Sequence, residues 1–282
     1  MTTPDPNHLL EQAKKSPAAV AIHDKQAWMS IFALYHVVED PVGSTPHVGG
    51  IYDATSGQRG NGALSRFFDT FIAPNKISFE VHRDVVCANH VVRDITIHLQ
   101  MSPTIHAEVP MHAIYELGLE QGEWKIIRLA AHWELVPMVM QLLGKGFGCL
   151  GVLSGLTVRM LKLQGVGGML GFAKGALNVG GHGKRVAEQF VSSFNARNGS
   201  ALAGCFASDL PTISLPWGSM PVAPSQLLAH LGGELALRKV MASGDTVTAS
   251  LSLTKDGVEK PGVVVFEFNR KVGKIARIRF YW

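Results

Sequence analysis

The spacing of hydrophobic positions changes along the chain. Trp28, Ile31, Phe32 and Tyr35 recur at helical spacing, as do Leu64, Phe67, Phe68 and Phe71, which predicts two amphipathic helices with one apolar face each. From Ile77 onward the period drops to two, as in Val91 to Met101 and Met111 to Leu119, and Gly122 marks a hairpin turn before Ile126 to Leu135. Helices followed by a run of antiparallel strands predict an α+β arrangement.

The pattern then repeats. Pro41-Val42-Gly43-Ser44-Thr45-Pro46 returns as Pro216-Trp217-Gly218-Ser219-Met220-Pro221. Lys125-Ile126-Ile127-Arg128 followed by Trp133 returns as Lys274-Ile275-Ala276-Arg277 followed by Trp282, with equal spacing to the tryptophan. Self-similarity in the same order predicts two like units, residues 1–135 and 184–282, joined by a linker at 136–183. That linker contains no Asp or Glu, many glycines, and only Lys145, Arg159, Lys162 and Lys174 as charges. Its longest uncharged run, Gly146 to Val158, is shorter than the roughly 18 residues a spanning helix needs. The linker is therefore expected to form Gly-interrupted helices packed on the units or at a homodimer interface, or to lie at a membrane surface as basic amphipathic helices do.

Composition narrows the function classes. The 282 residues carry 26 Lys and Arg against 22 Asp and Glu, scattered with no basic run, so no nucleic-acid partner is expected. Cys87, Cys149 and Cys205 lie more than fifty residues apart and suit a reducing cytoplasm, and the polar N-terminus lacks the apolar stretch of a signal peptide. No HExxH or paired CxxC is present, so no metal is expected, and without a phosphate-cradling loop or nucleotide fingerprint no cofactor is expected either.

The segment from Tyr35 to Gly49 contains Val38-Glu39-Asp40-Pro41-Val42-Gly43-Ser44-Thr45-Pro46-His47-Val48-Gly49. It resembles the V-E-D-P-x-G-x-x-P-x-x-G signature of the steroid Δ-isomerases and their SnoaL-like relatives, within the NTF2-like superfamily. The resemblance covers about residues 20–135, and a degraded version covers about 185–282. It implies two NTF2-like barrels, each a curved antiparallel sheet wrapped by helices around an apolar pocket. It also implies that Asp40 is a general base that takes and returns a carbon-bound proton while a donor holds the enolate oxygen. The first-helix tyrosine of the isomerases falls on or near Ser16 here, and two supporting tyrosines fall on Phe32 and Phe68. The second donor aligns with Tyr115 or, with a different gap, Glu116; strand alternation favours Tyr115, on a face with Ala113, Leu117 and Leu119 opposite His112, Glu116 and Gly118.

Asp40 and Tyr115 are thus the candidate catalytic residues, and Phe32, Phe68, Leu129 and Trp133 the candidate substrate-binding ones. Histidines 82, 98, 112 and 132 are expected at or near the cavity, most as solvent-facing or satisfied side chains. Arg83-Asp84 and Arg93-Asp94 are expected to face solvent or pair across strands. In the second unit Leu215 stands where Asp40 stands, and the penultimate strand is the apolar run Val263-Val264-Val265-Phe266. The expected function is a steroid-isomerase-like proton transfer or cyclisation on a hydrophobic ketone of steroid, terpenoid or polyketide type. The alternatives are a non-catalytic carrier of such a molecule and a membrane-surface scaffold.

Overall fold

The computed structural model describes residues 4–53, 58–60, 62–146, 148–208 and 211–282. The chain divides into two compact units, residues 1–84 with 89–176 and residues 85–88 with 177–282. The stretch read as a linker is helical. Its part up to residue 176 clusters with the first unit, while Phe147 lies outside the described residues.

The first unit begins with α1 (Pro6–Ala21), where the Asp5 carboxylate accepts the Asn7 N–H at 3.0 Å and Pro6 fills a position that needs no donor. Helix α2 (Lys25–Ser30) is capped in the same way by Asp24, which accepts from the Ala27 N–H. Strand β1 (Phe32–Glu39) follows, then β2 (His47–Val48), the small hairpin β3 (Ile51–Asp53) and β4 (Gln58–Gly60), and α3 (Gly62–Phe67), which continues as a π-helical turn through Ile72. Four long strands complete the sheet: β5 (Lys76–Cys87), β6 (His90–Gln100), β7 (His106–Glu120) and β8 (Glu123–His132). Gln121 and Gly122, both at positive φ, make the two-residue turn between β7 and β8. The sheet order is β2-β1-β8-β7-β6-β5, with β1 parallel to β8. Helices α4 (Leu135–Leu143) and α5 (Gly148–Ala173) follow, α5 breaking at Gly165, where φ is 70°.

Residues 28–35 are not one helix. The apolar spacing there is shared between α2, which supplies Trp28, and β1, which begins at Phe32. Along β1, Phe32 is opposite Ile126 but Val37 is opposite Arg128, so extra residues bulge out and leave Tyr35 57% exposed.

The second unit contains α6 (Gly180–Asn195), α7 (Gly199–Gly204), β9 (Thr212–Ser214), α8 (Pro224–Leu231), β10 (Glu234–Ser243), β11 (Thr246–Lys255), β12 (Val258–Asn269) and β13 (Lys274–Tyr281). Its sheet order, β10-β11-β12-β13-β9 with β9 parallel to β13, repeats the order β5-β6-β7-β8-β1. Both units are therefore α+β units of one topology.

The repeat extends to single hydrogen bonds. Val38 is opposite Leu129, as Ile213 is opposite Ile278. Val42 donates to the Ala131 carbonyl as Trp217 donates to that of Phe280. Ser44 bonds back to Pro41 as Ser219 does to Pro216. Both loops open on a cis proline bond, Asp40-Pro41 and Leu215-Pro216.

Candidate active site

Asp40 directly follows β1 at the mouth of the parallel β1–β8 pair, and the Val42 to Ala131 bond fixes the loop behind it. Its carboxylate sits where two lobes of an apolar cavity meet. One lobe, of about 140 Å³, is walled by Phe67, Phe71, Met111 and Trp133 and roofed by Met138, Leu142, Leu153, Leu156 and Phe172. The other, of about 120 Å³, reaches Ser16, Trp28, Ala113, Tyr115, Leu129 and Ala131. Each lobe, and the two taken together, fall below the roughly 300–1,000 Å³ of ordinary ligand pockets, so a ligand of several rings needs both lobes and some displacement of the roof.

The indole N–H of Trp133 donates to Asp40 Oδ1, while Oδ2 has no partner among the described residues. Burial in these apolar walls pushes the Asp40 carboxyl up to about 6, and the Trp133 bond opposes that rise. Burial raises the Tyr115 phenol as well, against the opposing pull of Arg93 and a hydrogen bond from Ser16, so Tyr115 remains a protonated donor at neutral pH. Ser16 Oγ also accepts the Trp28 indole N–H at 3.1 Å. Ser16, at the place the resemblance gives to the first-helix tyrosine, thus holds Trp28 and lines the same lobe as Tyr115.

Of the residues singled out in the sequence, Asp40, Tyr115, Leu129 and Trp133 line the cavity. Phe32 and Phe68 are not among its lining residues. They stand one layer back, packed on Trp28 at ring distances of 5.0 and 5.6 Å. Glu116 is on the opposite face of β7, 3.9 Å from His90, which leaves Tyr115 as the inward residue. The apolar alternation stops at Leu117, because a bulge follows Glu116 and leaves Leu119 64% exposed.

None of the four histidines lines the cavity. His82 meets Thr96, His98 lies between Glu80 and Glu108, and His112, 3.7 Å from Asp94, is opposite His132 on the outward face. Arg93 pairs across strands with Asp84 at 2.8 Å; it is buried rather than solvent-facing. The roof from α4 and α5 was not read from the sequence. Its one legible signal is Leu153 and Leu156, three apart on a helix.

In the second unit the matched positions are apolar. Leu215 replaces Asp40 and packs on the core; Phe266, opposite Ile278, replaces Tyr115, opposite Leu129. Ala131 becomes Phe280, and Phe190, Phe194, Phe266 and Phe280 fill the interior.

No family model matches the chain, and no curated protein matches it in sequence. Among solved structures it is similar to a Δ5-3-ketosteroid isomerase from Mycobacterium sp., at 22% identity and a TM-score of 0.37, covering 45% of this chain and 94% of that one. It is similar to a Mycobacterium tuberculosis protein solved with estradiol-17β-hemisuccinate, at 24% identity and 0.37, covering 46% and 95%. An epoxide hydrolase of the same organism matches at 15% identity and 0.40, covering 53% and 98%. Each match thus spans about half of this chain. Among the described residues no helix is long and apolar enough to cross a membrane.

Proposed function

We propose that the first unit catalyses proton transfer between carbons of a hydrophobic ketone, with Asp40 as general base and Tyr115 as the donor to the enolate oxygen. The observation that carries this reading is the carboxylate itself: it faces an apolar cavity, one oxygen is held by Trp133 and the other is free. A base with its carboxyl near 6 is ionised at neutral pH and still basic enough to take a proton from carbon beside a ketone. Oδ2 removes that proton, the electron pair moves onto the carbonyl oxygen as an enolate, and the Tyr115 O–H donates to that oxygen. The protonated Asp40 then returns the proton to the carbon at the far end of the enolate, shifting the double bond. The apolar walls keep water from quenching the intermediate. Steroid, terpenoid and polyketide ketones match such walls in polarity, and cyclisation of the same enolate is the related outcome.

The test follows the ultraviolet absorbance of a 5-ene-3-ketosteroid as it becomes conjugated, in the parent and in Asp40→Asn. The parent turns over and the variant does not, because an amide keeps the carboxylate's shape but cannot accept the proton. Equal rates in both would remove Asp40 as the base. Tyr115→Phe lowers turnover by about 10²–10³, the usual loss for one oxyanion donor.

A carrier reading is favoured by one feature, that Ser16, Phe32 and Phe68 stand where the resemblance puts the isomerase tyrosines. A carrier binds the ketone without turnover and is indifferent to Asp40→Asn.

A further inference from the structure

The roof of the Asp40 cavity is apolar on both sides. Inward, Leu153 and Leu156 of α5 close the cavity. Outward, Met140 of α4 and Leu150, Val158, Leu161, Val166 and Leu170 of α5 are 41–61% exposed. Leu150, Val158 and Leu161 are eight and three residues apart and share one helix face. Apolar side chains on both sides of a helix call for cover on both, and these outward ones stay exposed among the described residues of the first unit.

Charge decides what covers it. Residues 136–183 contain Lys145, Arg159, Lys162 and Lys174 and no carboxylate. None of the four cations has a carboxylate partner among the described residues. Arg159 is half-buried with an unpartnered Nε, and desolvation lowers its pKa. A second copy meeting this face symmetrically would set like charges against like, because a two-fold interface apposes the same patch on both subunits. An anionic lipid surface supplies both an apolar layer for the leucines and phosphates for the unpaired cations.

We propose that the outward face of α4 and α5 docks on the surface of a bilayer containing anionic lipids. Leu150, Val158 and Leu161 enter the boundary between headgroups and acyl chains, and Lys145, Arg159, Lys162 and Lys174 meet the headgroup charges. The helices lie on the surface rather than cross it. The same helices roof the cavity, so docking brings the cavity to a reservoir of apolar molecules.

The experiment is flotation of the full chain with vesicles of phosphatidylcholine alone and with vesicles in which part of it is replaced by phosphatidylserine. The chain floats with the second and not the first. Each basic residue near an anionic surface contributes about fivefold, so Lys162→Gln with Lys174→Gln weakens partition by roughly 25-fold. Leu150→Asn with Leu161→Asn abolishes flotation. Neither pair lines the cavity, and thermal unfolding checks that both variants fold. Flotation that ignores phosphatidylserine, or that both pairs leave unchanged, overturns the proposal. So does light scattering that finds the chain self-associated through this face and dissociated by the leucine pair. The readout needs no turnover, so its failure is separate from a failure of Asp40 as base.

Discussion

Trp133 donates its indole N–H to Asp40 across 93 residues of sequence, and that bond is the one influence holding down a carboxyl that burial pushes up to about 6. Removing the donor in Trp133→Phe lets the Asp40 pKa rise further. A base works only when ionised, so the rising limb of the pH–rate profile, centred near pH 6 in the parent, moves to higher pH while the plateau changes little. A profile with the same midpoint in both proteins would refute the role given to Trp133.

Asp40 also makes stability depend on pH. The folded carboxyl keeps its proton up to about pH 6, whereas the unfolded one releases it near 3.8. Between these values the folded state binds more protons, so the contribution of Asp40 to stability is fully present below about pH 4 and is lost as pH rises through 6. The fall is ~3 kcal/mol at most, at 1.36 kcal/mol per pKa unit. Asn is neutral throughout. Asp40→Asn is therefore expected to be more stable than the parent at pH 7 and no more stable at pH 4, measured by urea unfolding at each pH.

Leu215 occupies the position of Asp40 in the second unit, where Phe190, Phe194, Phe266 and Phe280 are buried in the core. Leu215→Asp puts a carboxyl against an apolar core with no donor matched to it, at a cost of about 2–5 kcal/mol. It is not expected to add turnover. A gain in activity with unchanged melting temperature would mean that the second interior can open to substrate.

Gly175 permits a backbone approach that no other residue allows. A Cβ there would lie 2.7 Å from Pro41 Cγ, and one at Gly171 would lie 2.7 Å from Thr45 Oγ1. Gly175→Ala overpacks this seam and should cost about 1–3 kcal/mol, read as a lower melting temperature. Gly167→Ala, with open space around its Cβ, serves as the control and should cost nothing comparable.

The loops and terminal strands were legible because the P-x-G-S-x-P turn and the closing tryptophan depend on local residues. Val38 to Gly43 and Ile213 to Gly218 follow the same hydrogen-bond scheme, so their sequences match as well. Strand β1 was not legible. Its bulge breaks period two, and Trp28 and Phe32 imitate helical spacing across a helix–strand junction. Asp40, Tyr115, Leu129 and Trp133 could be placed by motif and alternation, whereas Phe32 and Phe68 could not, because a tyrosine-to-phenylalanine exchange leaves no sign of how far the ring stands from the cavity. The roof was hidden because apolar residues occur on both sides of α5, so their spacing gives no indication of which face turns inward.

The glycine seam has a mechanical consequence. Thr45 donates its N–H to the Gly171 carbonyl at 3.0 Å, and Gly175 abuts Pro41, so the end of α5 and the loop behind Asp40 are joined backbone to backbone. Any lifting of that roof that admits a ligand drags the base loop with it. On the proposed function, admission and proton transfer would then belong to successive states, with Asp40 in place only when the roof is closed.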